Sequence, residues 1–163
     1  MTDMPTNFQQ LRQELDLLAE SAASVEDLMS FIVGRLRERV EYFDWVGFYM
    51  IEKGRLGEDP MLALGPYVGA DTPHKRIPLN QGICGAAASS GKTLVIDDVN
   101  SDPRYLACST DTKSEIVAPI LVKGSVVGEL DIDSHTPAAF LEQDRELVEY
   151  CAGLVGKYLE KTS

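Results

Sequence analysis

The segment from residue 115 to residue 133 constrains the fold more than any other part of the chain. It contains two apolar runs, residues 115–122 and 125–133, which are joined by Lys123 and Gly124. Two apolar runs separated by a two-residue turn that contains glycine predict a β-hairpin. The hairpin predicts that at least part of the protein is an antiparallel sheet.

One face of the second predicted strand is acidic. Side chains alternate along a strand, so successive residues face opposite sides of the sheet. The predicted acidic face has Val127, Glu129, Asp131 and Asp133, and the opposite face has Val126, Gly128, Leu130 and Ile132. Neighbouring acids on one face lie about 7 Å apart, so they repel one another unless a cation or shared protons intervene. Glu115 can join them from the partner strand, and Cys108 lies on a predicted loop just before it. A thiol beside clustered acids predicts a functional site, and the alternative is an acidic face that is merely solvated.

Composition limits the class of protein. The chain has 163 residues, of which 44% are apolar and 25% charged, and this size and balance predict one globular domain. The net charge of −11 and the pI near 4.5 argue against nucleic acid and anionic membrane as partners. No apolar run approaches the roughly 20 residues of a membrane span, and the N-terminus is polar, unlike a secretory signal. An odd number of cysteines, three, argues against a disulfide framework. We therefore expect a cytoplasmic protein with reduced thiols.

The rest of the chain predicts helices before and after the strands. The apolar spacing predicts helices at 8–19, 21–38, 86–89 and 137–160, and strands at 45–51, 61–69, 76–79 and 94–96. This order predicts an α+β fold with a largely antiparallel sheet. The sequence has no phosphate-binding glycine loop, no CxxC and no histidine spacing typical of zinc, so we expect no bound cofactor and no metal.

An ordered set of short motifs resembles the free methionine-R-sulfoxide reductases, which are single-domain enzymes on the GAF fold. The motifs are Gly47-Phe48-Tyr49, Leu64-Gly65-Pro66-Tyr67, Arg76-Ile77-Pro78, Gly82-Ile83-Cys84-Gly85, Leu106-Ala107-Cys108, Ser114-Glu115-Ile116-Val117 and Leu130-Asp131-Ile132-Asp133-Ser134. The resemblance implies a six-stranded antiparallel sheet with the N- and C-terminal helices on one face and a ligand pocket on the other. It implies one domain over residues 1–163, with the N-terminal helices in 1–40, the sheet and pocket in 45–134 and the C-terminal helix in 137–160. It also implies a homodimer.

The resemblance implies roles for individual residues. Cys108 matches the nucleophile, and Cys84 matches the second of the family's three cysteines. Three acids match those that hold the ammonium group and oxygen of the substrate, and two aromatic residues match the pocket wall. These residues are Glu115, Asp131 and Asp133, and Trp45 and Tyr49. The implied partners are a free amino-acid sulfoxide and an external thiol reductant such as thioredoxin.

Two positions depart from the family's pattern. His74 stands where the family has its first cysteine, which is the usual disulfide partner of the nucleophile. Glu129 stands where an aliphatic residue is more usual. The first departure leaves the recycling step open.

The chemistry of sulfoxide reduction agrees with this set of residues. A thiolate attacks the sulfoxide sulfur while a protonated acid supplies protons to the oxygen, and crowded carboxyl groups such as Glu115 and Asp133 retain protons. Cys84 lies near the start of a predicted helix, where backbone N–H groups stabilise a thiolate, so it is a candidate resolving thiol. Alternatively, Cys84 is a small buried core residue and an external thiol reduces Cys108 directly. A different interpretation is a non-catalytic or redox-sensing GAF module that binds a small amine-bearing ligand.

Overall fold

Six strands of the described residues form one antiparallel sheet. The computed structural model describes residues 7–54, 56–106 and 111–162. The strands are β1 (Trp45–Glu52), β2 (Met61–Val68), β3 (Arg76–Pro78), β4 (Leu94–Ile96), β5 (Ser114–Val122) and β6 (Ser125–Ser134). Their order across the sheet is β3-β2-β1-β6-β5-β4, so the hairpin strands β5 and β6 lie in its inner part. The predicted hairpin is confirmed.

Four α-helices cover the two faces of the sheet within the described ranges. They are α1 (Phe8–Ser21), α2 (Val25–Arg39), α3 (Gly82–Ser90) and α4 (Glu142–Thr162). Buried residues of α1, α2 and α4 form the larger core with one face of the sheet, and α3 forms a smaller core with the other face. This arrangement confirms the predicted α+β class and the six-stranded GAF-type sheet. No helix in the described part of the chain is both long and apolar enough to cross a membrane.

The helices differ from the prediction in their bounds. The helix predicted over 21–38 begins only at Val25, because the Ser24 hydroxyl caps it by accepting a hydrogen bond from the Asp27 N–H, and the starts of α3 and α4 also differ. The predicted C-terminal helix began at residue 137, but α4 begins at Glu142 because Ala138 has a φ of 50° and the Asp144 carboxylate accepts a hydrogen bond from the Leu141 N–H. These features make residues 137–141 a turn and a helix start. The predicted short helix 86–89 is longer, because α3 begins at Gly82. It ends at Ser90, one residue after the predicted end, where Gly91 adopts φ 68° and donates its N–H to the Ala87 carbonyl.

The predicted alternation of β6 is wrong at its first residues. The register of β5 against β6 shifts between Ile120 and Leu121, so that Ile120 pairs with Gly128 but Leu121 pairs with Val126. Val127 is therefore the extra residue of a β-bulge. It packs against the larger core, and Val126 packs against the smaller core on the α3 face. From Glu129 onward the predicted alternation holds, with Leu130 and Ile132 in the larger core.

Candidate active site

The strand register places three acids next to one another on the α3 face of the sheet. Asp133 of β6 pairs with Glu115 of β5 and with Trp45 of β1, and Asp131 lies two residues earlier on the same face. Each of the three acids is only 5% exposed. The structure thus brings together the three acids that the sequence analysis selected.

Protons are shared within this acidic cluster, which we define as Glu115, Asp131 and Asp133. Burial, followed by repulsion from Asp131 and Asp133, raises the pKa of Glu115 well above its ordinary value. Burial and the neighbouring Asp131 charge also raise the pKa of Asp133 well above its ordinary value. Burial raises the pKa of Asp131 as well, but hydrogen bonds from Glu115 and Cys84 oppose this rise. These pKa directions make Glu115 a proton holder beside two aspartates, so the cluster combines a proton donor with acceptors.

Two oxygen atoms of the acidic cluster lack a hydrogen-bond donor among the described residues. They are the Oδ1 atoms of Asp131 and Asp133, and both are buried. A buried carboxylate oxygen without a donor is costly, typically by about 1–3 kcal/mol. Both residues line the same cavity, so a ligand carrying several N–H donors would satisfy these oxygens.

The cavity lined by Asp131 and Asp133, which we call the larger cavity, has a volume of about 310 Å³. Its lining residues are Arg37, Asp44, Trp45, Tyr49, Gly69, Ala70, Asp71, Thr72, Thr112, Asp131, Asp133 and His135. Aromatic groups form one wall and the buried aspartates contribute negative charge. Arg37 is the permanent cation of this lining, and its Nε donates to the Asp44 carbonyl at 3.0 Å. The cavity therefore offers both signs of charge to a small zwitterionic ligand.

The Trp45 side chain is held in place by three neighbours. Its Nε1 donates to the Ala70 carbonyl at 3.0 Å, and its ring stacks on Tyr67 with centroids 5.6 Å apart. The ring also lies against the backbone of Gly47, where an added Cβ would be 2.4 Å from Trp45 Cη2. Only glycine at position 47 leaves room for this orientation, so Gly47 fixes the shape of the aromatic wall.

We predict that Gly47→Ala displaces the Trp45 ring and changes its fluorescence. Trp45 is the only tryptophan in the chain, so the emission spectrum reports this wall alone. Loss of the Ala70 hydrogen bond and greater contact with water should shift the emission maximum to longer wavelength. The control is Gly34→Ala in α2, where an added Cβ meets nothing within 4 Å; it should leave the spectrum unchanged. An unchanged spectrum for a folded Gly47→Ala variant would contradict this account.

A second, much smaller cavity adjoins the acidic cluster. Its volume is about 20 Å³, and its lining includes Cys84, Glu115, Asp131 and Tyr49. Asp131 and Tyr49 also line the larger cavity, so they separate the two. The Cys84 thiol donates to Asp131 Oδ2 at 3.4 Å.

Cys84 is not the ready thiolate that its helix position suggested. It lies in the first turn of α3, as expected, but it is only 6% exposed. Burial raises its pKa well above the ordinary value, and the charges of Asp131, Glu129 and Glu115 raise it further. The argument from the helix N-terminus is therefore wrong, because nearby carboxylates and desolvation outweigh the helix dipole.

The two departures from the family's pattern both lie at this smaller cavity or beside it. His74 lines the smaller cavity, and its carbonyl accepts a hydrogen bond from the Tyr49 hydroxyl at 2.8 Å. Glu129 is fully buried on the same sheet face, where it pairs with Tyr49 of β1 and Pro119 of β5. Both of its oxygens are buried and accept no hydrogen bond from described residues.

The predicted nucleophile, Cys108, lies outside the described residues. Leu106, two positions before it, lines the smaller cavity, and Thr112, four positions after it, lines the larger one. The third cysteine, Cys151 of α4, is fully buried in the larger core.

Several cavity residues were not anticipated from the sequence. Arg37 lies near the end of α2, and Asp44, Thr72 and Thr112 lie on connections between elements. No periodic pattern or motif distinguishes them from other polar residues, and only the folded chain brings them together.

Comparisons with known proteins agree with the fold and with the motifs. Residues 24–159 match the family model of the GAF domain. The chain is 34% identical to "Protein YtsP" of Bacillus subtilis over 96% of this chain and 93% of that protein. It is 30% identical to the free methionine-R-sulfoxide reductase of Escherichia coli over 95% of this chain and 90% of that enzyme.

A solved structure gives the same relationship in three dimensions. The free methionine-R-sulfoxide reductase of Neisseria meningitidis, solved in complex with its substrate, superposes with a TM-score of 0.86 at 30% identity, covering 98% of this chain and 92% of that one. The chain therefore belongs to the GAF-domain family and, within it, to the family of the free methionine-R-sulfoxide reductases.

Proposed function

We propose that this protein reduces free L-methionine-R-sulfoxide to methionine, with Cys108 as the nucleophile. The observation that carries the proposal is the pair of buried Oδ1 atoms of Asp131 and Asp133, which lack hydrogen-bond donors among the described residues and belong to side chains that line a cavity with an aromatic wall. An α-ammonium group supplies the N–H donors that these oxygens lack. Trp45 and Tyr49 supply apolar surface for the sulfoxide methyl group. Arg37 is the candidate partner for the substrate carboxylate.

The acidic cluster also supplies the proton that the reaction needs. The Cys108 thiolate attacks the sulfoxide sulfur, and protonated Glu115 donates to the sulfoxide oxygen as the S–O bond weakens, while Asp133 is ionised beside the substrate ammonium group. The oxygen ends on Cys108 as a sulfenic acid, and methionine leaves. The substrate is thereby reduced by two electrons and the thiol is oxidised by two.

Cys84 is our candidate for the second thiol. Its sulfur attacks the Cys108 sulfenic acid, which forms a disulfide and releases water. Because the pKa of Cys84 is raised, this attack requires a base, and Asp131 Oδ2 already accepts the thiol proton at 3.4 Å. An external thiol reductant such as thioredoxin then reduces the disulfide. Direct reduction of Cys108 by that external thiol is the alternative, and His74 in place of the family's first cysteine keeps both routes open.

The second candidate function is a sensor that binds a small amine-bearing ligand without turnover. It is favoured by the raised pKa of Cys84 and by His74, since both weaken the case for recycling within the chain. The two candidates share the ammonium site. They differ in whether methionine is formed.

An assay with separated stereoisomers tests the enzyme. We expect thioredoxin-dependent formation of methionine from the free R-sulfoxide and none from the S-sulfoxide. We also expect N-acetylation of the R-sulfoxide to lower kcat/KM at least about 100-fold, because the modified substrate leaves buried carboxylates unpaired. Absence of sulfoxide-dependent thioredoxin oxidation, together with quenching of Trp45 fluorescence by methionine sulfoxide, would favour the sensor.

A further inference from the structure

Three side chains that line the smaller cavity are of the kinds that coordinate metal ions. Cys84 Sγ, a carboxylate oxygen of Glu115 and one of Asp131 all lie within 4.8 Å of one another. All three residues are buried. They come from α3, β5 and β6, which explains why no short sequence spacing predicted a metal site.

The smaller cavity has room for only one water molecule or one metal ion. A volume of about 20 Å³ holds about one water-sized sphere, since roughly 10–15 Å³ is the minimum for one water. An amino-acid sulfoxide does not fit there, whereas the larger cavity of about 310 Å³ accommodates it. The smaller cavity is thus a separate compartment, bounded by Asp131 and Tyr49.

Carboxyl oxygens without a hydrogen-bond donor lie in this compartment and beside it. Glu129, beside the compartment, is fully buried, burial raises its pKa well above the ordinary value, and both of its oxygens accept no hydrogen bond from described residues. Asp131 Oδ1 likewise accepts none. Buried carboxyl groups are stable only when they are protonated or paired with a cation. Besides the chain itself, two occupants would satisfy these oxygens: a water molecule with protonated acids, or one cation with ionised ones.

We propose that Cys84, Glu115 and Asp131 bind one divalent cation of the zinc class, which excludes the amino-acid ligand from the adjoining cavity. A thiolate combined with carboxylates suits Zn²⁺ or Cd²⁺ and does not suit Mg²⁺, which prefers oxygen ligands alone. Zinc bonds of about 2.0–2.3 Å bring the ligand atoms to within about 3.3–3.8 Å of one another. The Cys84 to Asp131 distance of 3.4 Å already meets this requirement. The Glu115 oxygen lies within 4.8 Å of the other two ligand atoms, so it has to move about 1 Å closer.

Binding of this cation has a defined consequence for protons and for the ligand. The metal replaces the proton of Cys84 and that of Glu115, so protons are released as it binds. Asp131 lines both cavities. An ion on Asp131 therefore withdraws a carboxylate from any ammonium group in the larger cavity and repels that group. The cation acts here as a competing ligand and takes no part in the reaction.

The test uses a variant in which Cys84 is the only thiol, Cys108→Ser/Cys151→Ala. This variant should bind one Zn²⁺ per chain in competition with a chromophoric chelator, and its Cd²⁺ form should show the ultraviolet band of a thiolate–cadmium bond. Adding Cys84→Ser should remove the band and weaken Zn²⁺ binding at least about tenfold. Mg²⁺ should not compete.

Two further measurements keep the outcome clear. If the triple variant does not fold, Glu115→Gln in the otherwise natural chain should weaken Zn²⁺ binding by a similar factor while the cadmium–thiolate band persists. No thiolate band when Cys84 is the only thiol, or equal Zn²⁺ affinity with and without Cys84, would overturn the proposal and leave water as the occupant. Because these titrations contain no sulfoxide, they fail or succeed independently of the proposed reductase activity.

Discussion

Replacing Cys108 with serine is expected to lower the turnover number for free methionine-R-sulfoxide by at least about a thousandfold. A hydroxyl is a far weaker nucleophile than a thiolate and cannot form a sulfenic acid, and loss of a covalent nucleophile usually costs this much or more. Binding should be nearly unchanged, because the proposed contacts to the ammonium and methyl groups of the substrate are made by Trp45, Asp131 and Asp133. Quenching of Trp45 fluorescence by the sulfoxide measures binding, and methionine formation measures turnover.

Two other cysteine variants serve as controls for this result. Cys84→Ser should still form about one methionine per chain in a single turnover, but the Cys84–Cys108 disulfide should be missing from the mass spectrum and later turnovers should slow. Cys151→Ala, in the larger core, should keep full turnover if the fold is retained. Undiminished methionine formation by Cys108→Ser would disprove the assignment of the nucleophile. A persistent sulfenic acid on Cys108 in the natural chain would instead favour direct reduction by the external thiol.

Replacing Asp133 with asparagine is expected to raise the KM for the free R-sulfoxide at least about 30-fold. Truncating one partner of a buried, hydrogen-bonded charge pair typically costs about 2–5 kcal/mol, and about 1.4 kcal/mol corresponds to tenfold. Asp133 is 5% exposed and its Oδ1 has no described donor, so little screening by water reduces this cost. Steady-state kinetics measure the change, and circular dichroism checks the fold.

N-acetyl-methionine-R-sulfoxide provides the matched control for Asp133→Asn. This substrate has no ammonium group, so its already low kcat/KM should change less than about threefold. A preference for the free amino acid should then largely disappear in the variant. Equal losses for both substrates would mean that Asp133 does not recognise the ammonium group and acts on the reaction or on the fold instead.

The sheet was predictable because alternation along a strand is a local property. The side-chain directions from Glu129 to Asp133 follow from it and place the acidic cluster on one face, whereas the hairpin followed from the Lys123-Gly124 turn between two apolar runs. The bulge at Val127 was not predictable, because a register shift depends on how two strands pair. The start of α4 was missed because Pro137 and Ala138 form a turn, although the apolar spacing continues through Phe140.

The site was predictable only where its residues share a strand or a motif. Trp45 and Tyr49 are four residues apart on β1, so their side chains lie on the same face of the sheet and line the same cavity. The protonation of Cys84 was mispredicted because its position in α3 is local information, whereas the carboxylates beside it come from distant segments. The division into two cavities of very different size likewise depends on how α3 lies over the sheet.

The position of β6 in the sheet also bears on how related chains can diverge. This strand is hydrogen-bonded to β1 on one side and to β5 on the other, so its backbone cannot shift without breaking two ladders. The proposed recognition of an amino group by its aspartates would therefore be rigid and hard to change by mutation. Residues 69–72 of a connecting segment also line the cavity, and substitutions and insertions are tolerated in such segments. New substrate preferences should thus arise by changes in this segment, and all such substrates should share a free α-amino group.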